Sequence, residues 1–168
     1  VNAGRVLAGR RVLLIGAGGA AAGVLGPLIE RRPAAVAVAN RTRDKAEELV
    51  RRHADWAARH GVALAASGLA DAGRGFDLVL NASASSLAGA AVPVDAGVLA
   101  PGALAVDLMY GAAAEPFLDW ARAHGAHARD GLGMLVEQAA AAFERWRGVA
   151  PDTAPVLTAL RRRLEAAA

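Results

Sequence analysis

Arg11-Val12-Leu13-Leu14-Ile15-Gly16-Ala17-Gly18-Gly19-Ala20-Ala21 is the stretch on which the reading of the whole chain turns. Arg11–Ile15 is an almost unbroken aliphatic run, as a strand buried on both faces requires. The next six residues read G-x-G-x-x-A, directly after that strand and at the opening of a helical pattern. Gly16 permits the tight turn out of the strand. Gly18 lets a backbone approach a pyrophosphate, and the small Ala21 lets helix and strand pack closely. The unpaired amides of the helix start then face the phosphates, reinforced by the helix dipole. A glycine pattern alone is a weak signal, and its position between strand and helix is what gives it weight.

Outward from this turn, short β-like runs alternate with helical patterns, which predicts an α/β fold: a Rossmann-like, doubly wound, mostly parallel sheet of about six strands with helices on both faces. The first helix is predicted to run to about Arg32 and to end before Pro33. A second strand is expected at Val36–Ala39, followed by a helix from a Thr42 N-cap to about His60, stopped by Gly61. A weak run at Val62–Ala66 is expected as strand three, and Phe76–Leu80 as strand four, ending at Asn81. Ala82–Ala91 reads as a loop. Strand five is expected at Leu104–Leu108 after a Pro101–Gly102 turn, and a helix at Pro116–His124 carries proline in its first turn. A short strand at Ala126–Ala128 and two helices, Leu132–Arg147 and Thr153–Ala166, complete the chain. The expected division is a nucleotide-binding domain over 1–130 and C-terminal helices over 131–168.

Composition narrows the classes. The 168 residues suffice for one domain of ordinary size. With 55% hydrophobic and 21% charged residues, disorder is excluded as a description of the chain. There is no cysteine, so disulfides and thiolate chemistry are excluded. The net charge of +3 does not indicate nucleic acid, because Arg41, Arg43 and Lys45 lie among Asp44, Glu47 and Glu48 and no aromatic residues interleave with them. The long apolar tract is interrupted by glycines and Pro27, so no membrane span is expected. No signal pattern opens the chain, and a cytoplasmic setting is the expectation. The chain opens on Val1 rather than Met, and it is expected to be a piece of a longer polypeptide.

The end of strand two sets the expected cofactor. An NAD site places Asp or Glu there, where a carboxylate accepts from the ribose hydroxyl. Here the residues are Asn40-Arg41-Thr42, with Arg43 and Lys45 following. A guanidinium pairs with a 2′-phosphate that a carboxylate would repel, and it can lie flat on adenine. NADP is the expected cofactor, with ordinary helix-surface charge as the competing reading of Arg41 and Lys45.

Six stretches carry a resemblance to a known family: Gly16–Ala20, Asn40–Thr42, Asp77–Ser83, Asp107–Tyr110, Pro116–Leu118 and Asp130–Ala140, the last followed by Phe143, Trp146 and Gly148. In these the chain resembles the shikimate dehydrogenases across essentially its whole length. The resemblance implies NADP-dependent, reversible reduction of 3-dehydroshikimate to shikimate. It also implies that Gly16, Ala17, Gly18, Gly19 and Ala20 hold the pyrophosphate, that Asn40, Arg41, Thr42 and Lys45 meet the 2′-phosphate end, and that Asn81, Leu108 and Gly131 border the cofactor. Tyr110 and Gln138 are implied at the substrate. Spacing is compatible with the latter, since Gly131, Met134 and Gln138 share one helix face. Leu135, Ala139, Ala142, Phe143 and Trp146 form a neighbouring apolar stripe. The chain departs from the family in the loop Asn81-Ala82-Ser83-Ala84-Ser85-Ser86, where Asn-Ala-Thr-Ser-Ser-Gly is usual.

The same resemblance places a catalytic Lys–Asp pair in an N-terminal substrate domain, ahead of the glycine turn. Only fifteen residues precede Gly16, and the sole lysine, Lys45, belongs to the cofactor loop, so no catalytic residue is assigned. The chain alone is expected to bind NADP and to be catalytically deficient. Val156, Leu157, Leu160 and Leu164 form a final apolar stripe, expected to pack against a second copy or to be displaced. Two other readings remain open at this point: a quinate/shikimate dehydrogenase using NAD, and a non-catalytic dinucleotide-binding module.

Overall fold

The computed structural model describes residues 4–83 and 92–166. Six strands are ordered β1 (Arg11–Ile15), β2 (Ala35–Ala39), β3 (Ala63–Ser67), β4 (Phe76–Asn81), β5 (Leu99–Asp107) and β6 (His127–Arg129). They pair in the order β3-β2-β1-β4-β5-β6, every pair parallel. The helices are α1 (Gly19–Glu30), α2 (Arg43–His60), α3 (Glu115–Ala123), α4 (Leu132–Arg147) and α5 (Thr153–Ala166).

Alternation along the central strands divides the core into two layers. Val12 and Leu14 of β1 join Val36 and Val38 of β2 on the face covered by α1 and α2, where Leu25, Ile29 and Leu49 are buried. Leu13 and Ile15 point to the other face, against Val98, Phe117, Leu118 and Ala121. The sheet is therefore covered on both sides, and β1 lies at its centre. The strand order reverses at β1, where β2 leaves on one side and β4 pairs on the other. That reversal opens a crevice at the carboxyl ends of β1 and β4.

Several elements differ from the sequence expectation, each for a physical reason. α1 keeps Pro27 in its interior. Leu25, Leu28 and Ile29 are all buried around it, and this packing outweighs the hydrogen bond the proline removes. The helix ends at Glu30, two residues early, where Arg32 takes a left-handed φ of 52° ahead of Pro33. Pro101–Gly102 does not precede β5 but lies within it. The β4–β5 register jumps there from Phe76 opposite Leu99 to Leu78 opposite Leu104, so the irregular stretch absorbs the missing proline donor. α5 is not displaced. It packs on α4, with Leu157, Leu160 and Leu164 half-buried and Val156 exposed. No helix among the described residues is long and apolar enough to cross a membrane.

Candidate functional site

The glycine turn sits at the crevice between β1 and β4. Gly16 has a φ of +106°, and a Cβ there would stand 2.9 Å from the Ala82 carbonyl oxygen. The loops after β1 and β4 thus touch through a residue that has to be glycine. The Gly16 amide donates to Ala39 O at 2.7 Å and the Ala82 amide to Ile15 O at 2.8 Å, which ties the ends of three strands together. Gly18 is the N-cap of α1, and no side chain caps that helix. Above Gly18 and Gly19 there is open space, with nothing within 4 Å of a Cβ on either. Ala17 is half-buried and Ala20 exposed. The first-turn amides of α1 are thereby left for a ligand or solvent.

At the end of β2, the Asn40 amide donates to Ser67 O at 3.2 Å, and Asn40 Nδ2 donates to the Thr42 carbonyl at 2.8 Å. Thr42 occupies the N-cap position of α2, but its side chain makes no capping hydrogen bond, contrary to the simplest reading of a threonine there. The bond from Asn40 holds the turn instead. Arg43 is engaged by Glu47 at 2.8 Å. Arg41 and Lys45 are exposed and have no ion-pair partner among the described residues. No carboxylate stands at the end of β2 itself.

The wall at the ends of β4, β5 and β6 is built from buried polar groups that have each found partners. Asn81 is 1% exposed and Asp107 fully buried, and Asn81 Nδ2 donates to Asp107 Oδ2 at 2.8 Å. Asn81 Oδ1 accepts from the Ser83 hydroxyl at 2.7 Å, and Asp107 Oδ1 accepts from the Met109 amide at 2.8 Å. The Asn81 side chain therefore braces the loop after β4 against the loop after β5. Leu108 is half-buried beside it, its amide donating to Asn81 O at 2.9 Å. Gly131 packs on Leu108 so closely that a Cβ would stand 2.6 Å from the Leu108 carbonyl carbon, and its amide donates to Met109 O at 2.7 Å.

Tyr110 follows, 39% exposed, and Gln138 is exposed on α4. No hydrogen bond joins these two among the described residues. The stripe Leu135, Phe143 and Trp146 faces outward, with Trp146 80% exposed, while Leu132 and Val136 are the buried residues of α4.

Sequence reasoning passed over the partners that hold this wall. Asp107 and Asp130 were visible only as letters in matching stretches. Arg161 carried no signal at all. Its guanidinium grips Asp130 with both nitrogens, at 2.5 and 2.7 Å, from 31 residues away. Burial pushes the Asp130 carboxyl up, but the hydrogen bonds and charge of Arg161 outweigh it and hold the group below the ordinary carboxylate value. No cluster of His, Asp or Glu suited to a metal occurs among the described residues. Of the expected departure at 83–86, Ser83 donates its hydroxyl to Asn81 Oδ1, and 84–86 lie outside the described residues.

A parallel sheet reversing at β1, with a glycine turn at the reversal and an uncapped helix behind it, defines a Rossmann-type α/β domain. A family model described as shikimate/quinate 5-dehydrogenase matches residues 2–88, and one described as the shikimate 5′-dehydrogenase C-terminal domain matches 131–161. The chain belongs to the shikimate/quinate 5-dehydrogenase family.

It is 62% identical over 167 residues to a shikimate dehydrogenase (NADP(+)) of Methylibium petroleiphilum, covering 99% of this chain and 57% of that protein. It is also 62% identical to the corresponding protein of Paracidovorax citrulli, covering 98% and 58%. An Ael1 enzyme from Pseudomonas putida superposes with a TM-score of 0.82 at 45% identity, over 95% of this chain and 57% of that one. Shikimate 5-dehydrogenase from Thermus thermophilus, in complex with NADP(H) and shikimate, gives 0.71 at 33% identity, over 90% and 54%. The chain thus spans a little over half the length of the relatives it matches.

Proposed function

We propose that this chain is the NADP-holding portion of a shikimate dehydrogenase, an oxidoreductase that reversibly reduces 3-dehydroshikimate to shikimate. The observation that carries the reading is the end of β2: Arg41 and Lys45 exposed without acidic partners among the described residues, no carboxylate at the strand end, and the uncapped start of α1 beside them. This donor set fits a dinucleotide with an extra phosphate. Open space over Gly18 and Gly19 accommodates a pyrophosphate against the amides of α1. Arg41 pairs with the 2′-phosphate and Lys45 adds charge, while Asn40 and Thr42 shape the turn.

When bound, the cofactor supplies the hydride. The residues of this chain position and enclose it: Leu108 and Gly131 form the wall at the nicotinamide end, held in shape by Asn81, and Tyr110 and Gln138 are the polar groups aimed at substrate. Proton transfer to the developing alkoxide is left to groups outside these 168 residues. In this proposal residues 1–130 form the cofactor domain, and 131–168 return to the remainder of the protein. The chain alone then binds NADPH and turns over little.

Fluorescence titration with NADPH and NADH tests the reading. NADPH is expected to bind more tightly, and Arg41→Ala to weaken NADPH by about tenfold or more, the loss of one charged hydrogen-bonding partner, with little effect on NADH. Equal or tighter binding of NADH by the unaltered chain would overturn the NADP assignment and favour an NAD-dependent quinate/shikimate enzyme. Binding of neither would favour a domain that has lost its cofactor.

A further inference from the structure

We infer that Arg161, on the last helix, is a positioning residue for the wall of the site formed by the loops after β5 and β6, acting through Asp130. The inference rests on the NADP reading for what that wall faces, and on geometry for the rest. Three separate pieces of chain converge on one carboxylate. Arg161 reaches it from α5 with two nitrogens, at 2.5 and 2.7 Å. The Leu132 amide donates to it from the start of α4 at 3.3 Å, and the Gly111 backbone, in the loop after β5, lies near enough to favour its charged form. The Asp130 side chain is only 7% exposed, so its charge requires such partners.

α5 meets the same loop a second time. A Cβ on Gly111, whose φ is +62°, would lie 3.5 Å from Leu164 Cδ2. Tyr110 immediately precedes Gly111, and Gly131, between Asp130 and Leu132, lies against the Leu108 carbonyl and donates to Met109 O. One ion pair therefore joins α5 to the segment bearing Leu108 and Tyr110 and to the turn that launches the helix bearing Gln138.

The chemistry needs arginine at this place. A planar fork matches both carboxylate oxygens, which leaves the carboxylate's remaining acceptor capacity for backbone amides such as that of Leu132. A lysine at 161 keeps the charge but loses the second arm. With neither, the buried carboxylate is held by the Leu132 amide alone, and the loops around it have to resettle.

Two ligand probes, applied to the unaltered chain, Arg161→Ala and Arg161→Lys, separate positioning from general damage. NADPH occupies the whole cleft, whereas adenosine 2′,5′-bisphosphate reaches only the Arg41–Lys45 end. Arg161→Ala is expected to weaken NADPH on the order of threefold to tenfold, in the range of indirect coupling through a packed network, and to leave the bisphosphate unchanged. Arg161→Lys should recover part of the loss. Hydrogen exchange at the Gly111 and Leu132 amides should accelerate in the same order. Unchanged NADPH affinity, or equal weakening of both probes, would overturn the inference. If the unaltered chain binds neither probe, it is the NADP reading that fails. Exchange at Gly111 and Leu132 then decides the positioning role of Arg161 by itself, with unaltered protection in Arg161→Ala counting against it. Should Arg161→Ala not fold, the same comparisons are read from Arg161→Lys.

Discussion

At Gly131 the absence of one carbon sets the shape of the site. A Cβ would fall 2.6 Å from the Leu108 carbonyl carbon and closer still to its oxygen, and both neighbours are backbone that cannot rotate away. Gly131→Ala is therefore expected to force apart the loops after β5 and β6, a cost of about 1–3 kcal/mol by analogy with overpacked cores. That corresponds to a fall in melting temperature of several degrees for a domain of this size. Gly23, in the middle of α1, is the control. It is exposed, and nothing lies within 4 Å of a Cβ there. Gly23→Ala should stabilise by about 0.5–1 kcal/mol, because alanine has less backbone freedom to lose in a helix. Thermal unfolding of the two variants checks both signs. A neutral Gly131→Ala would show that the Leu108 loop is free to yield, and the wall would then not be a rigid feature.

Arg161 ties α5 by an ion pair to Asp130, in the turn before α4. The partners of Asp130 hold its carboxyl below the usual value of 3.8, despite burial. A carboxylate with a lowered folded pKa contributes its full stabilisation above the unfolded value, and loses it as pH falls through the folded one. Arg161 stays charged throughout this range. The stability difference between the unaltered chain and Asp130→Asn should therefore be constant from about pH 8 to pH 5 and shrink only below about pH 4, the ordinary carboxylate range. Chemical denaturation across that range measures it, and a difference that fades between about pH 5 and 7 would exclude the ion pair as its origin.

β1, α4 and α5 match the expected bounds residue for residue, because a buried strand and an amphipathic helix write their period locally. The glycine turn was legible for the same reason, since a single backbone conformation demands a single residue type. The first part of β5 was not, because Pro101–Gly102 signals a turn unless a register shift in the neighbouring strand accommodates it. Nor were the Asn81–Asp107 and Asp130–Arg161 pairs, which join residues 26 and 31 apart and leave no periodic trace.

For the whole molecule, the outward stripe of α4 is the feature most out of keeping with a self-contained domain. Leu135, Phe143 and Trp146 are 41%, 46% and 80% exposed on a helix that packs against α5 and buries only Leu132 and Val136, near its start. Apolar residues aligned in this way mark a contact surface more often than isolated ones do. If residues 131–168 return to the part of the family's protein that this chain does not span, the stripe is where that part settles. Trp146→Glu should then leave the isolated chain's stability within about 0.5 kcal/mol and its NADPH affinity unchanged, as for a surface substitution. It should abolish assembly with the remaining portion of the Methylibium petroleiphilum relative when the two are produced together, because a carboxylate would be buried in an apolar contact without a partner. Analytical ultracentrifugation of the pair reads the assembly, and the isolated chain run alongside shows whether a second copy takes the same face. Assembly that survives Trp146→Glu would place the contact elsewhere and leave the stripe to self-association. A variant that unfolds would instead make Trp146 part of this domain's own packing, against its exposure.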